Sequence, residues 1–467
     1  MTTPAWETLL VLDGSSRRPR HEQLASAIRA AIRSGRIPTG SALPPSRHLA
    51  NDLGCSRWVV TQAYAQLIAE GYLEARTGSA TRVRWAAAPT RHSRVTPPRQ
   101  QAAPRIDLAP GLPDLRHFPR RRWAEAVRSV LSTLPHAELG YPPLEGHPRL
   151  RETLAAYLRR SRAADVSAHD VWVTTRVTDG VARACRALRS AGVAAIALED
   201  PGWPTVRNAA AAAGLRTVTI PVDEDGLCVS DLARFPEVRA VVVTPAHQFP
   251  TGRVLTPDRR AALLAWAREV DGVILEDDYD AEFRYDRSPV ATLQGMDPGR
   301  VMLLGSLSKT LSPALGIGWL VVPASWTSRI RAASATTPIP PVLDQLAFAH
   351  LVETGGYDRH LRAARHRYRA RRDALLRALA AALPACEVSG VAAGLHLLLH
   401  LPAGTDPIQV AAHARDLGVK VDPLASYQVR VSDSPVLVLG YGNLADTAVE
   451  EAVALLARAV HAAGTSR

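Results

Sequence analysis

From about residue 106 onward, short apolar runs alternate with helical stretches, and this alternation constrains the fold more than any other feature of the chain. The predicted strands are 171–175 (VWVTT), 195–199, 216–220, 240–244, 273–277 (VILED), 301–305 (VMLLG) and 318–322. Several are apolar throughout rather than at every second position. A strand has that pattern when both of its faces are covered, as in a mostly parallel sheet with helices on each side. Predicted helices over 342–354 and 357–383 lead into AGLHLLLHLP, PVLVLGY and a last helix over 445–462. That tail predicts a smaller α+β subdomain.

The first hundred residues follow a different pattern. HEQLASAIRAAIRSGRI places apolar residues at helical spacing and ends at Gly35; PPSRHLANDLG predicts a proline-started short helix closed by Gly54. A longer amphipathic helix follows to about Glu70, with Ser56 as its N-cap. LEARTGSATRVRW then predicts two short strands around a Thr-Gly-Ser turn. Helix, short helix, turn, longer helix and hairpin is the order of a winged helix-turn-helix. Residues 86–105 hold four prolines and little apolar periodicity, the composition of an extended linker. The predicted organisation is therefore a winged helix over 1–85, a linker over 86–105 and an α/β domain over 106–467. Charge supports the division. Residues 1–100 carry 14 arginines and no lysine against six acidic residues, a net +8 out of +12 for the 467-residue chain. Basic charge concentrated at one end points to nucleic acid.

Of the 56 basic residues only two are lysines, Lys309 and Lys420. Arginine serves wherever charge alone matters. A lysine amine, unlike a guanidinium, can lose its proton when partly buried and attack a carbonyl to form a Schiff base. Lys420 reads as a surface residue. Lys309 follows the buried run 301–305 and sits among Ser306, Ser308, Thr310 and Ser312, the setting of a cofactor lysine. Four scattered cysteines give neither a zinc nor a disulfide framework and suit a reduced cytoplasm. No stretch of about 18 apolar residues and no signal-like start occurs, so a cytoplasmic protein is expected. His396 and His400 share a strand face and read as structural, and no metal site is expected.

The segment LPPSRHLANDLGCSRWVVTQAYAQLIAEGYLEARTGSAT resembles the GntR-type winged helix. YPPLEGHPRLRETLAAYL, EDPGWP, VVVTPAHQFPTGRVL, EDDYDAEFRYD and GSLSKTLSP resemble fold-type I aminotransferases, which bind pyridoxal 5′-phosphate (PLP). In this order the two sets are similar to the MocR/GabR family of transcription regulators. The resemblance implies an α/β aminotransferase-like domain with PLP bound to Lys309. Asp277 would hold the pyridine nitrogen, Tyr279 the ring hydroxyl, Trp203 the ring face, and Ser306 and Ser308 the phosphate side. Tyr141 would reach the partner's phosphate in a homodimer. His247, in the His-Gln-Phe form that the regulators share, stands where aminotransferases carry the residues before their asparagine. On DNA, Ser46 and Arg47 would meet the backbone, Ser56, Arg57, Thr61 and Gln62 would face the major groove, and Gly78 and Ser79 would form the wing tip.

Three positions depart from the family pattern. Gly316 stands where an arginine grips the phosphate. Arg176 stands where a glycine is expected in the phosphate-side loop, and Val438 where aminotransferases clamp a carboxylate. Arg176 is expected to supply the guanidinium that Gly316 lacks. The implied function is a PLP-dependent regulator that binds operator DNA and senses PLP, or an amine or amino acid, through Lys309. The alternatives are a working aminotransferase with a vestigial DNA-binding domain and a regulator that has lost PLP. The outward polar readers Arg57, Thr61 and Gln62 speak against the first, and Val438 argues for poor transamination.

Overall fold

The computed structural model of the chain describes residues 6, 10, 12–13, 15–16, 18–75, 80–85, 104–285, 290–430 and 434–464. Two compact units divide between residues 101 and 102.

In the first unit, α1 (Arg20–Arg33) buries Leu24, Ala25, Ile28, Ala31 and Ile32 along one face. Pro44 and Pro45 start α2 (Ser46–Asp52) after extended backbone. Gly54, at φ +58°, makes the turn into α3 (Arg57–Ala69), a conformation that costs glycine nothing. The faces of the three helices converge on Leu49, Val60, Ala63 and Leu67. The Tyr64 hydroxyl donates to the Pro44 carbonyl at 2.9 Å and ties α3 to the start of α2. β1 (Leu73–Glu74) and β2 (Arg82–Val83) pair antiparallel as the expected hairpin. Ser56 occupies the N-cap of α3, but its side chain makes no capping hydrogen bond. The wing tip, Gly78 and Ser79, and residues 86–103 of the linker lie outside the described residues.

The first helices of the second unit are α4 (Arg120–Thr133) and α5 (Pro148–Arg162). A sheet of eight strands follows: β3 (Val171–Thr174), β4 (Ala195–Asp200), β5 (Arg216–Asp223), β6 (Gly226–Leu227), β7 (Val238–Val243), β8 (Val273–Asp277), β9 (Val301–Ser306) and β10 (Gly318–Val321). Their order across the sheet is β3-β10-β9-β8-β7-β4-β5-β6. Neighbours from β9 through to β5 are parallel; β10 is antiparallel to both of its neighbours and β6 to β5. The helices α6 (Val177–Ser190), α7 (Pro204–Ala212) and α8 (Pro257–Glu269) connect them. Every residue of β3, β8 and β9 is buried, which is why those strands carry no alternation. α9 (Val342–Glu353) and the 27-residue α10 (Gly356–Ala382) lead to an antiparallel sheet of β11 (Glu387–Ser389), β12 (His396–His400), β13 (Asp422–Pro423) and β14 (Val436–Gly440), in the order β11-β12-β14-β13. α11 (Val449–Gly464) starts later than its apolar pattern, because residues Asp446–Ala448 form a 3-10 turn first. No described helix is long and apolar enough to cross a membrane.

Candidate cofactor site

The carboxyl ends of the parallel strands meet one cavity of about 600 Å³. That edge is where α/β sheets bind ligands. β8 delivers Asp277 and Tyr279, β9 delivers Ser306, Ser308 and Lys309, the loop after β4 delivers Trp203, and the loop after β3 delivers Arg176; all seven line the cavity.

One end of the cavity is dense with buried charge. Asp277 is 6% exposed and its Oδ1 has no hydrogen-bond partner. Burial pushes its carboxyl up to about 8, the neighbouring Asp278 adds to the effect, and Lys309 opposes it. Asp278 is held in a buried bidentate pair with Arg162, at 2.7 and 2.8 Å, which fixes the backbone next to Asp277. Burial lowers the Lys309 ammonium below its ordinary range, while Asp277 and Asp280 pull the other way. Lys309 Nζ donates to the carbonyl of Gly111. Gly111 is at φ +116°, and a Cβ there would lie 3.1 Å from Nζ, so the lysine's approach and the backbone both select glycine. Trp203 is 39% exposed, an aromatic face left open at the cavity wall.

The other end is open. Arg176 is exposed and is the N-cap residue of α6; no partner for its guanidinium is found among the described residues. The start of α6 brings Val177 and Thr178 to the same wall, where free backbone N–H groups favour an anion. Gly316 has left-handed backbone, φ +57°, and the nearest atom to a Cβ built on it is the Thr175 carbonyl oxygen at 4.0 Å. The loop of the absent arginine and the loop of Arg176 are therefore neighbours.

Two predicted residues stand apart. His247 does not line the cavity. It lies buried behind Tyr279, its Nδ1 3.0 Å from the tyrosine hydroxyl and 2.9 Å from Asp280 Oδ2. Tyr141 is fully exposed and touches no part of this chain's cavity. Val438 is buried among Leu398, Leu424, Tyr427 and Val436, so the carboxylate-clamping position is apolar. His396, read from the sequence as structural, does line the cavity, and its Nε2 lies 3.0 Å from the Pro250 carbonyl oxygen. His247, Asp280 and His396 present ligand atoms within 4.8 Å of one another. His247 Nδ1 is engaged by Asp280 and His396 Nε2 by the Pro250 carbonyl, while His247 Nε2 is buried with no hydrogen-bond partner among the described residues.

Gly111, Glu199 and Arg207 also line the cavity and were not singled out from the sequence. Glu199 is bound by Thr244 and Gln248, and burial pushes its carboxyl up to about 7. Its position at the end of β4 was the available signal, the same one that marks Asp277. On the first unit, Arg47, Ser56, Arg57, Thr61 and Gln62 are exposed, Ser46 is half-buried, and Arg57 Nε donates to Ser46 Oγ at 3.3 Å.

Residues 20–83 match the family described as bacterial regulatory proteins of the gntR family, and residues 104–434 match aminotransferase class I and II. A Rhizobium meliloti protein described as "probable rhizopine catabolism regulatory protein MocR" is 33% identical, over 95% of this chain and 94% of its own length. The pyridoxine biosynthesis transcriptional regulator PdxR of Corynebacterium glutamicum is 32% identical, over 90% and 91%. The crystal structure of the α-aminoadipate aminotransferase LysN of Thermus thermophilus, complexed with N-(5′-phosphopyridoxyl)-L-leucine, matches with a TM-score of 0.68 at 25% identity. It covers 77% of this chain and 92% of its own. The cavity fits PLP on its own chemistry. Asp277 Oδ1 is a buried acceptor without a partner, as a protonated pyridine nitrogen requires; Lys309 is a half-buried amine of lowered pKa; the hydroxyls of Ser306 and Ser308 and the Arg176 guanidinium belong to the same lining. With a GntR-type winged helix ahead of a PLP-binding aminotransferase-like domain, the chain belongs to the MocR/GabR-type family of DNA-binding transcription regulators.

Proposed function

We propose that the second unit senses PLP, or an amine or amino acid that reacts with it, through Lys309, and that this sensing governs operator binding by the first unit. When bound, PLP supplies an aldehyde that reacts with amines and an electron-withdrawing ring. The side chains do the rest. The lowered pKa of Lys309 enlarges the fraction of free amine able to attack a carbonyl. Asp277 would hold a proton on the ring nitrogen, Tyr279 would donate to the ring oxygen, and Trp203 would cover the ring. Ser306, Ser308, Arg176 and the start of α6 would take the phosphate, with Arg176 supplying the charge absent at Gly316. Transamination is disfavoured by Val438, which leaves the usual carboxylate position apolar.

The observation that carries this reading is the buried, unpartnered Asp277 Oδ1 facing a cavity that Lys309 also enters. Its test is full-length protein titrated with PLP. A near-visible absorption band should form, and operator affinity should then change when PLP or an amine is added. PLP binding without any such band would sink the role of Lys309, and operator binding indifferent to both ligands would sink the sensing role.

On DNA, Arg47 would contact phosphates, while Arg57, Ser56, Thr61 and Gln62 would read the major groove from the start of α3, where recognition helices present their side chains. The Thr61 hydroxyl donates to the Arg57 carbonyl at 2.9 Å, so toward a base it offers lone pairs only. A homodimer through the second unit, in the cytoplasm, is part of the same proposal. The exposed Tyr141 would complete the partner's phosphate site, and sedimentation of the PLP-bound protein as a monomer at micromolar concentration would remove it.

A further inference from the structure

Among the described residues of the first unit, the exposed large apolar side chains are Trp58, at 60%, and Ile68, at 38%, near opposite ends of α3. Trp58 is the second residue of that helix. Thr61 and Gln62, three and four residues further on, are exposed as well, and side chains at that spacing share one helix face. Val59, Val60, Ala63, Tyr64 and Leu67 take the opposite face into the core with α1 and α2. The indole therefore stands on the polar side of the helix, where most of its large apolar surface stays in water.

Its surroundings narrow the choice of partner. His21, in the first turn of α1, meets the ring edge-on, centroids 5.4 Å apart at 72°, and holds it at the start of α3. Arg57 beside it is exposed, and the exposed Arg18 and Arg20 lead into His21; Glu22 stands against these guanidinia. A lone ring among arginines is poorly suited to a protein partner, which would need an apolar patch of several side chains. It suits the DNA major groove. Phosphates line both rims of that groove, and the apolar group on its floor is the C5-methyl of thymine.

We propose that Trp58 is a specificity-determining residue that covers a thymine methyl in the major groove of the operator. This rests on the reading of the first unit as the operator-binding module, and adds an apolar contact to the polar ones of Arg57, Thr61 and Gln62. The indole face offers a base edge no acceptor, and its one polar atom, the Nε1–H, only donates. A cytosine at the same place would bury its exocyclic amino group unpaired, so the contact favours T·A over C·G.

The test takes the sequences that full-length protein selects from a random duplex pool and replaces their thymines one at a time with deoxyuridine, which removes the methyl and nothing else. At one thymine or more, wild-type affinity should fall about three- to fivefold, the worth of one buried methyl. Trp58→Ala should bind the thymine operator at least that much more weakly than wild type, and should lose nothing further on deoxyuridine. Ile68→Ala, at the other end of the helix, should keep the full thymine preference. Wild type indifferent to deoxyuridine at every position overturns the proposal, as does a deoxyuridine loss that persists in Trp58→Ala. An equal loss for Trp58→Ala on operator and random DNA, or a change in its sedimentation alone, overturns it too, since the ring then serves the DNA backbone or a protein partner. A wild-type chain that selects no sequence instead sinks the reading of the first unit, and this inference with it.

Discussion

The two units use their charged groups in opposite ways. The first keeps Arg47 and Arg57 exposed on short helices, held by little beyond an Arg57–Ser46 contact. The second buries Asp277, Asp278, Asp280 and Glu276, brings Asp277 and the half-buried Glu199 to its cavity, and sets Lys309, Arg162 and His247 beside them. Exposed guanidinia suit a polyanion such as DNA, which brings its own counterions and releases them on binding. Buried carboxylates suit one small ligand whose protonation state they set. Arg176 breaks the pattern: it belongs to the second unit and lines the cavity, yet it is exposed like Arg47 and Arg57, with no partner for its guanidinium among the described residues.

The largest effect tests the buried side of this contrast. Lys309→Ala should abolish the near-visible band and all borohydride fixation of PLP, and digestion of the wild-type adduct should place the label on the peptide that contains Lys309. Since Lys420 is the only other lysine, retained labelling in the variant would point there and break the assignment.

The buried carboxylates also predict a pH dependence whose sign is fixed. Asp277 rises from 3.8 to about 8 on folding, and Glu199 from 4.5 to about 7. Between the two values the folded chain holds a proton that the unfolded chain has released. Stability of the PLP-free protein should therefore fall as pH rises through that window, by a few kcal/mol from Asp277 alone. Glu276 and Glu282 are also pushed up to about 7, so Asp277→Asn should reduce the slope throughout and remove most of what is left toward pH 8, where Glu199, Glu276 and Glu282 are mostly ionised. Thermal melts across pH 5 to 8 read this directly. A flat wild-type profile would mean that Asp277 is far better solvated than its burial indicates.

Legibility from sequence divides along the same line. The strands were readable because burial on both faces forces continuous apolar runs, and Lys309 because lysine is so rare here. The winged helix was readable from Pro44, Pro45 and Gly54, whose backbone preferences punctuate the helices. What could not be read was proximity across the fold. Gly111 reaches Lys309 from 198 residues away, and His396 comes to the cavity from β12 in the C-terminal sheet. His247 was picked out by its motif, but only the structure puts it behind Tyr279 rather than at the cavity wall.

Two arginine substitutions sharpen the comparison. If Arg176 takes the phosphate as proposed, Arg176→Ala removes a charge-assisted contact worth roughly 1.5–3 kcal/mol, and PLP should bind about ten- to a hundredfold more weakly. Unchanged affinity would leave Arg176 as a surface charge that happens to border the cavity. On the first unit, Arg57→Ala should cost about 1–3 kcal/mol on operator and little on random DNA if it pairs with a guanine edge. Arg47→Ala should weaken both DNAs alike and flatten the salt dependence. Equal losses for Arg57→Ala on the two DNAs would make it a backbone contact and transfer base reading to Gln62 or Thr61.

The smallest effect comes from returning the guanidinium to its family position. In an Arg176→Ala background, Gly316→Arg should recover part of the lost PLP affinity. The recovery has to be incomplete, because Gly316 sits at φ +57°, where a residue with a Cβ is strained by roughly 1–2 kcal/mol. There is room for the side chain, since nothing but the Thr175 carbonyl oxygen lies within 4 Å of a Cβ there. Against a contact worth roughly 1.5–3 kcal/mol, the net gain should be at most about 2 kcal/mol, or roughly thirtyfold, with a lower melting temperature in the absence of PLP. Full recovery would mean that the loop relaxes without strain, and the left-handed turn would then no longer explain why this chain carries its arginine in the loop after β3. No recovery, with the melting temperature lowered as expected, would mean that position 316 cannot reach the phosphate in this chain. The two loops would then not be exchangeable, however close they lie.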